Sequence, residues 1–122
     1  MSLNSLEPLM SELPIPGDAG RRLLRFLDDQ RKQGAFSRRF STSRMFEIAE
    51  DLSKSDVASL LAWFVSKGIL DQIVRVESPA LGGIGDFASI EEVPEVIEDW
   101  RQGNVKFHVQ PENLSVLYKL HE

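Results

Sequence analysis

Five carboxylates crowd into one short stretch, at Glu91, Glu92, Glu95, Glu98 and Asp99. Paired carboxylates can trade protons as general acid and base, or hold a hard cation. The same stretch carries its own apolar set, Ile90, Val93, Ile97 and Trp100, at helical spacing, and no other polar residue type converges on the acids. A solvated acidic helix face accounts for that pattern. The two histidines, His108 and His121, have no partner at metal-ligand spacing, and the chain holds no cysteine. That removes thiolate zinc sites, iron–sulfur clusters, disulfides and cysteine nucleophiles. No nucleophile, base and orienting group can be named as a set, so the expectation is a protein that is not an enzyme, with no metal and no cofactor. Gly83-x-Gly85-x-x-Ala88 matches a dinucleotide fingerprint by letters. Pro79-Ala80-Leu81 stands where the tight strand-to-glycine turn belongs, so turn glycines are the better account.

Other residues suit binding more than catalysis. Trp63 falls off the apolar face of its helix. Exposed, it would anchor an interface, because tryptophan is enriched among binding hot spots. Covered by the C-terminal region, it would be core. Arg38, Arg39 and Arg44 surround a short bridge and are the best candidates to hold phosphate. They belong to a basic block: residues 17–44 carry eight basic and three acidic side chains, a net of +5. Residues 45–122 carry a net of −8, residues 1–16 a net of −2, and the whole chain −5. A nucleic-acid patch or a solvated face balanced by the acidic half both fit such a block.

The elements that position these groups follow from periodicity. Residues 1–17 hold Pro8, Pro14, Pro16 and Gly17, a spacing that excludes a helix and suggests a loose tail or an apolar arm lying on a groove. Asp18 is a plausible N-cap for a first helix buried through Leu23, Leu24 and Leu27, and Gly34 ends it. After an extended bridge over Phe36 to Ser41, one of Ser41, Thr42 or Ser43 caps a second helix, with Met45, Ile48, Ala49 and Leu52 on one face. Ser55 or Asp56 caps a third, with Val57, Leu60, Leu61 and Phe64 inward and Gly68 at its end. Ile69 to Val76 reads as a strand and Gly82-Gly83-Ile84-Gly85 as a turn or hairpin tip. Ser89 with Glu92 looks like a capping box opening a helix that ends at Gly103. Val105 to Val109 and Leu114 to Leu120 alternate as a strand pair around Pro111-Glu112-Asn113.

At 122 residues, with 42% hydrophobic and 27% charged side chains, the chain has the composition of one folded domain with at most a small appendage. No apolar run approaches the roughly 18 residues of a membrane helix. The opening residues lack a basic region followed by an apolar run, so no secretory signal and a cytoplasmic location are expected.

Phe46-Glu47-Ile48-Ala49-Glu50-Asp51-Leu52 and Val57-Ala58-Ser59-Leu60-Leu61-Ala62-Trp63-Phe64-Val65-Ser66-Lys67-Gly68-Ile69-Leu70 resemble the second and third helices of the winged helix-turn-helix superfamily. The resemblance covers about residues 18–76. It implies an α+β fold: a three-helix winged-helix core (18–76) behind an N-terminal arm or tail (1–17), with a small antiparallel β/α extension (77–122) packed on it. The turn between Leu52 and Val57 is shorter than the usual spacing of the superfamily. Ser78-Pro79-Ala80-Leu81-Gly82 is similar to a zinc knuckle with both cysteines replaced, which implies a degenerate zinc-ribbon-like extension without zinc. As a recognition helix, the third helix implies partner contacts through Ser59, Trp63, Ser66 and Lys67. With one lysine at its far end and Asp56 near its start, it suits DNA poorly. The expected function is therefore a protein–protein interaction adaptor or regulatory domain. A DNA- or RNA-binding transcriptional regulator is the alternative, resting on Arg38, Arg39 and Arg44. A homodimer is compatible with the superfamily.

Overall fold

The computed structural model describes residues 5–78, 82–99, 103 and 105–122. It is a mixed α+β chain with antiparallel strand pairing. Three α-helices, α1 (Asp18–Lys32), α2 (Thr42–Ile48) and α3 (Lys54–Ser66), come before most of the strands. The strands are β1 (Phe40–Ser41), β2 (Leu70–Ser78), β3 (Gly82–Phe87), β4 (Val96–Asp99), β5 (Val105–His108) and β6 (Leu114–Leu120). One sheet has the order β1-β6-β2-β3, and β4 and β5 form a separate ribbon. The chain divides into two compact units, 1–71 with 118–122, and 72–117.

In the first unit the periodic residues form the core. Leu23, Leu24 and Leu27 of α1, Met45 of α2, Ala49 just after it, and Val57, Leu60, Leu61 and Phe64 of α3 are all buried. Ser41 caps α2 by accepting the Arg44 N–H at 3.1 Å. Ser53, rather than Ser55 or Asp56, caps α3 by accepting the Asp56 N–H at 3.1 Å. Asp18 is the first residue of α1 and Gly17 stands at its N-cap, with φ 99°. Gly68 closes α3 with φ 73°, where an L side chain would be strained, and the chain turns there into β2.

The proline-bearing start contains a helical turn, which its proline spacing was expected to exclude. Glu7–Glu12 winds as a 3-10 helix with Pro8 in its first turn, where the missing N–H costs nothing. Leu6, just before it, is buried.

The second unit departs further from expectation. The helix expected over 89–103 is absent from the described residues 89–99. Ile90–Glu92 makes one 3-10 turn, Val93 is extended (φ −74°, ψ 121°), and Val96–Asp99 is strand. Pro94 is the cause: it removes a donor, clashes with a preceding helical turn and pushes Val93 out of the helical region. Glu92 accepts the Ala88 N–H at 3.2 Å instead of completing a capping box with Ser89. Trp100 lies outside the described residues.

The terminal strands also pair differently. β5 runs antiparallel to β4, with Val96 opposite His108 and Ile97 opposite Phe107, while β6 joins the larger sheet. Pro111–Asn113 is a 3-10 turn closed by a Gln110/Asn113 capping box, so it does not fold β6 back onto β5. The glycine run is strand rather than turn. Gly83 pairs with Glu77 and Gly85 with Val76 across a bulge between Val76 and Glu77. A Cβ at Gly83 would sit 3.0 Å from Arg75 Cδ, and one at Gly85 3.1 Å from Phe87 Cε2, so the glycines leave room for those two side chains. Arg75 uses that room to reach Asp86, at 2.9 and 3.3 Å. Ser78 and Gly82 close the β2–β3 pair, and residues 79–81 of the knuckle-like stretch lie outside the described residues.

Candidate functional site: the outer flank of the third helix

Ser59, Trp63, Ser66 and Lys67 stand at i, i+4, i+7 and i+8, so the helix brings all four to one flank. Val57, Leu60, Leu61 and Phe64 occupy the other side of α3 and are buried. Ser59, Ser66 and Lys67 are exposed and Trp63 is half-buried. The indole packs edge-on to Phe64, with ring centroids 5.4 Å apart, which ties it to the core from one side. Lys67 Nζ stands over its other reach, 5.6 Å from the ring centroid. The same ammonium lies 3.9 Å from Glu12 at the end of the N-terminal 3-10 helix. Ser66 donates its hydroxyl hydrogen to the Trp63 carbonyl at 2.7 Å. It can therefore offer a partner only acceptor capacity. The flank is amphipathic: an aromatic plate, one cation and small hydroxyls, on a helix whose conformation the core fixes.

The N-terminal segment lies beside this helix because of a buried acid. Asp28 sits on the inward stripe of α1, one residue after Leu27 and four after Leu24, and is 3% exposed. Its carboxylate accepts the Leu6 N–H at 2.8 Å and the Ser5 hydroxyl at 3.2 Å, and pairs with Lys32 at 3.1 Å. Burial works against ionisation. The Leu6 N–H, then Lys32 and Ser5, outweigh it and hold the carboxyl below its ordinary value. Leu13, at the other end of the segment, stands against Gly20, whose opposite neighbour is Leu60. The segment thus runs along α1 in the reverse direction, and Glu12 arrives beside Lys67.

The candidate phosphate-binding residues lie on a different part of the same unit. Arg38 and Arg39 are exposed in the bridge before α2, and Arg44 is exposed within α2. Arg38 donates to Gln30 Oε1 at 2.6 Å. Arg44 faces Glu47 at 3.4 Å and lies over the Phe26 ring, 5.7 Å from its centroid. Three more members of the basic block face acids: Arg21 with Asp18 at 3.8 Å, Arg22 with Asp51, and Lys32 with Asp28. The positive charges follow α1, the bridge and α2. They do not collect on the α3 flank.

His121 Nδ1 lies 2.9 Å from Asp71 Oδ1, and among the described residues no three acidic, histidine or cysteine side chains are placed to hold a metal ion. The acids expected on one helix are distributed over a 3-10 turn, the link after it and β4. Glu12 and Asp28 escaped the sequence reading. Asp28 carries the one visible signal, an acid placed on an otherwise leucine-lined helix face. Among the described residues, no helix is long and apolar enough to cross a membrane. No family model, curated protein or solved structure matches the chain.

Proposed function

We propose that the chain is a non-enzymatic binding module of winged-helix type, acting as a protein–protein interaction adaptor or regulatory domain through the α3 flank. Trp63 carries this reading. A half-buried indole, braced on one side by Phe64 and bordered by exposed Ser59, Ser66 and Lys67, has the composition of an interface anchor. The electrostatics point the same way. A groove reader of DNA needs a concentration of uncompensated cations around its recognition helix, and this flank offers Lys67, already beside Glu12. The order helix, extended bridge, helix, tight turn, helix, glycine, strand supports the winged-helix assignment.

A second reading, a DNA- or RNA-binding regulator, rests on Arg38 and Arg39. Both are exposed, and the Arg38 contact is with a neutral amide that leaves its charge uncancelled. Fluorescence anisotropy with a duplex across a salt series separates the two. The adaptor reading expects no saturable binding even at low salt. Tight binding that collapses as salt rises, and that Arg38→Ala with Arg39→Ala removes, would establish the nucleic-acid reading instead.

A further inference from the structure

The second unit contains an open trough of about 200 Å³. Ile90, Val93 and Pro94, from the 3-10 turn and the link that follows it, form one wall; Val109, Pro111 and Leu114, from the passage between β5 and β6, form the other. Among the described residues two large aliphatic side chains are exposed, Ile90 at 60% and Val96 at 40%, and both belong to this unit. Ile90 stands in the trough wall itself. Covering such a side chain is favourable wherever a complementary apolar group is available.

The chemistry of the lining narrows what that group can be attached to. Pro94 and Pro111 have no N–H. The Val109 N–H is taken by the Glu95 carbonyl at 2.9 Å, and the Gln110 N–H by Asn113 Oδ1 at 2.8 Å. An anionic ligand would find these four backbone positions without a donor to give. Glu95 lines the trough, and the exposed Glu91 and Glu112 each follow a lining residue, Ile90 and Pro111, in the chain. The unit as a whole holds eight acidic and three basic residues, a net of −5. An apolar trough in an acidic unit complements a segment with aliphatic anchors flanked by lysine or arginine. The basic block of this chain is a poor source of one, because Arg21, Arg22, Lys32 and Arg44 already face Asp18, Asp51, Asp28 and Glu47.

We propose that this trough docks a short cationic, leucine- or isoleucine-anchored peptide segment of another protein. The site shares no residue with the α3 flank and does not depend on the function assigned to it.

The test is anisotropy of a labelled peptide that alternates lysine with leucine, titrated with the full chain. Two control peptides replace every leucine by alanine or every lysine by glutamate. The lysine–leucine peptide should saturate, and each control should bind about tenfold or more weakly, the loss expected when one aliphatic anchor or the charge match is removed. Ile90→Asp should weaken binding by about tenfold or more. Its melting curve should stay unchanged, because the side chain is exposed, and Ile90→Ser supplies a second variant with no added charge. Glu91→Lys with Glu112→Lys should weaken binding and flatten its salt dependence. Equal affinity for both Ile90 variants and the parent chain would mean mere attraction to an acidic surface and would overturn the proposal. So would preference for the glutamate peptide. Concentration-dependent dimerisation by light scattering that Ile90→Asp abolishes would give the trough to a second copy of this chain, and would overturn it as well.

Discussion

The two units differ in how completely they satisfy themselves. The helical unit holds eleven acidic and eleven basic residues and is electrically neutral, while the β-rich unit carries the entire net charge of −5. Among the described residues, sixteen of the buried apolar side chains belong to the first unit, and Ile73, Val74 and Val76 to the second. In the first, ion pairs link separate elements: Arg22 of α1 with Asp51 beyond α2, and Lys67 at the end of α3 with Glu12. In the second, Ile84, Phe87, Ile97, Phe107 and Leu114 are only half-buried. The contrast teaches that the first unit is built as a rigid platform with one aromatic flank left open, whereas the second leaves apolar and acidic surface facing outward.

The sharpest way to break that contrast is to truncate one phenylalanine in each unit. Phe64→Ala removes a fully buried ring and should cost ~3–5 kcal/mol. Phe107→Ala removes a half-buried one and should cost ~1–2 kcal/mol. Urea denaturation of both variants measures the difference, and equal losses would erase the distinction.

Next in size is the buried acid. Asp28→Ala leaves the Leu6 N–H without its acceptor and should cost ~1–3 kcal/mol, with earlier proteolysis of the first residues. Asp28→Asn keeps an acceptor and should cost less. The carboxyl is held below its ordinary value of 3.8, so its stabilising contribution is complete above that value. It is lost as pH falls through the lowered folded value. Acid titration of the wild type should therefore show a loss of stability in that range that Asp28→Asn lacks. Identical acid curves would remove the carboxylate from the account.

The smallest effects should have opposite signs in the two units. Gly20→Ala places a Cβ 3.6 Å from Leu13 and Leu60, an ordinary contact, and should stabilise by ~0.4–1 kcal/mol. Gly83→Ala places one 3.0 Å from Arg75 Cδ, so that side chain must give by a few tenths of an ångström, which strains its pairing with Asp86. The pair is about a third exposed, so the loss should stay within ~1 kcal/mol. Thermal melts that move in the same direction would contradict the packing described at one of the two glycines.

The same contrast explains what the sequence made legible. The first unit was readable because its helices bury one stripe each, and the repeats Met45–Leu52 and Val57–Phe64 announce that directly. Its errors were local: a cap displaced from Ser55 to Ser53, and a proline-rich start whose Pro8 falls in the first turn of a 3-10 helix, where it is tolerated. In the second unit, Ile90, Val93 and Ile97 sit at helical spacing by coincidence of composition, and Pro94 decides against the helix. Strand partners are non-local, so nothing near Pro111 announces that β5 pairs with β4 while β6 enters the other sheet. The candidate flank was visible as a tryptophan off the apolar stripe. The contact that holds the N-terminal segment on α1 was not, because Leu6 and Asp28 are far apart in the chain and meet only after folding.

The direct test of the α3 flank is a photo-crosslinking amino acid placed at Ser59, one turn from Trp63, with the full chain expressed in the organism that makes it. A discrete adduct that resists nuclease, yields to protease and disappears when Trp63→Ala is added is the predicted outcome. An adduct that nuclease destroys and that Arg38→Ala with Arg39→Ala abolishes would contradict the account and make the chain a nucleic-acid binder.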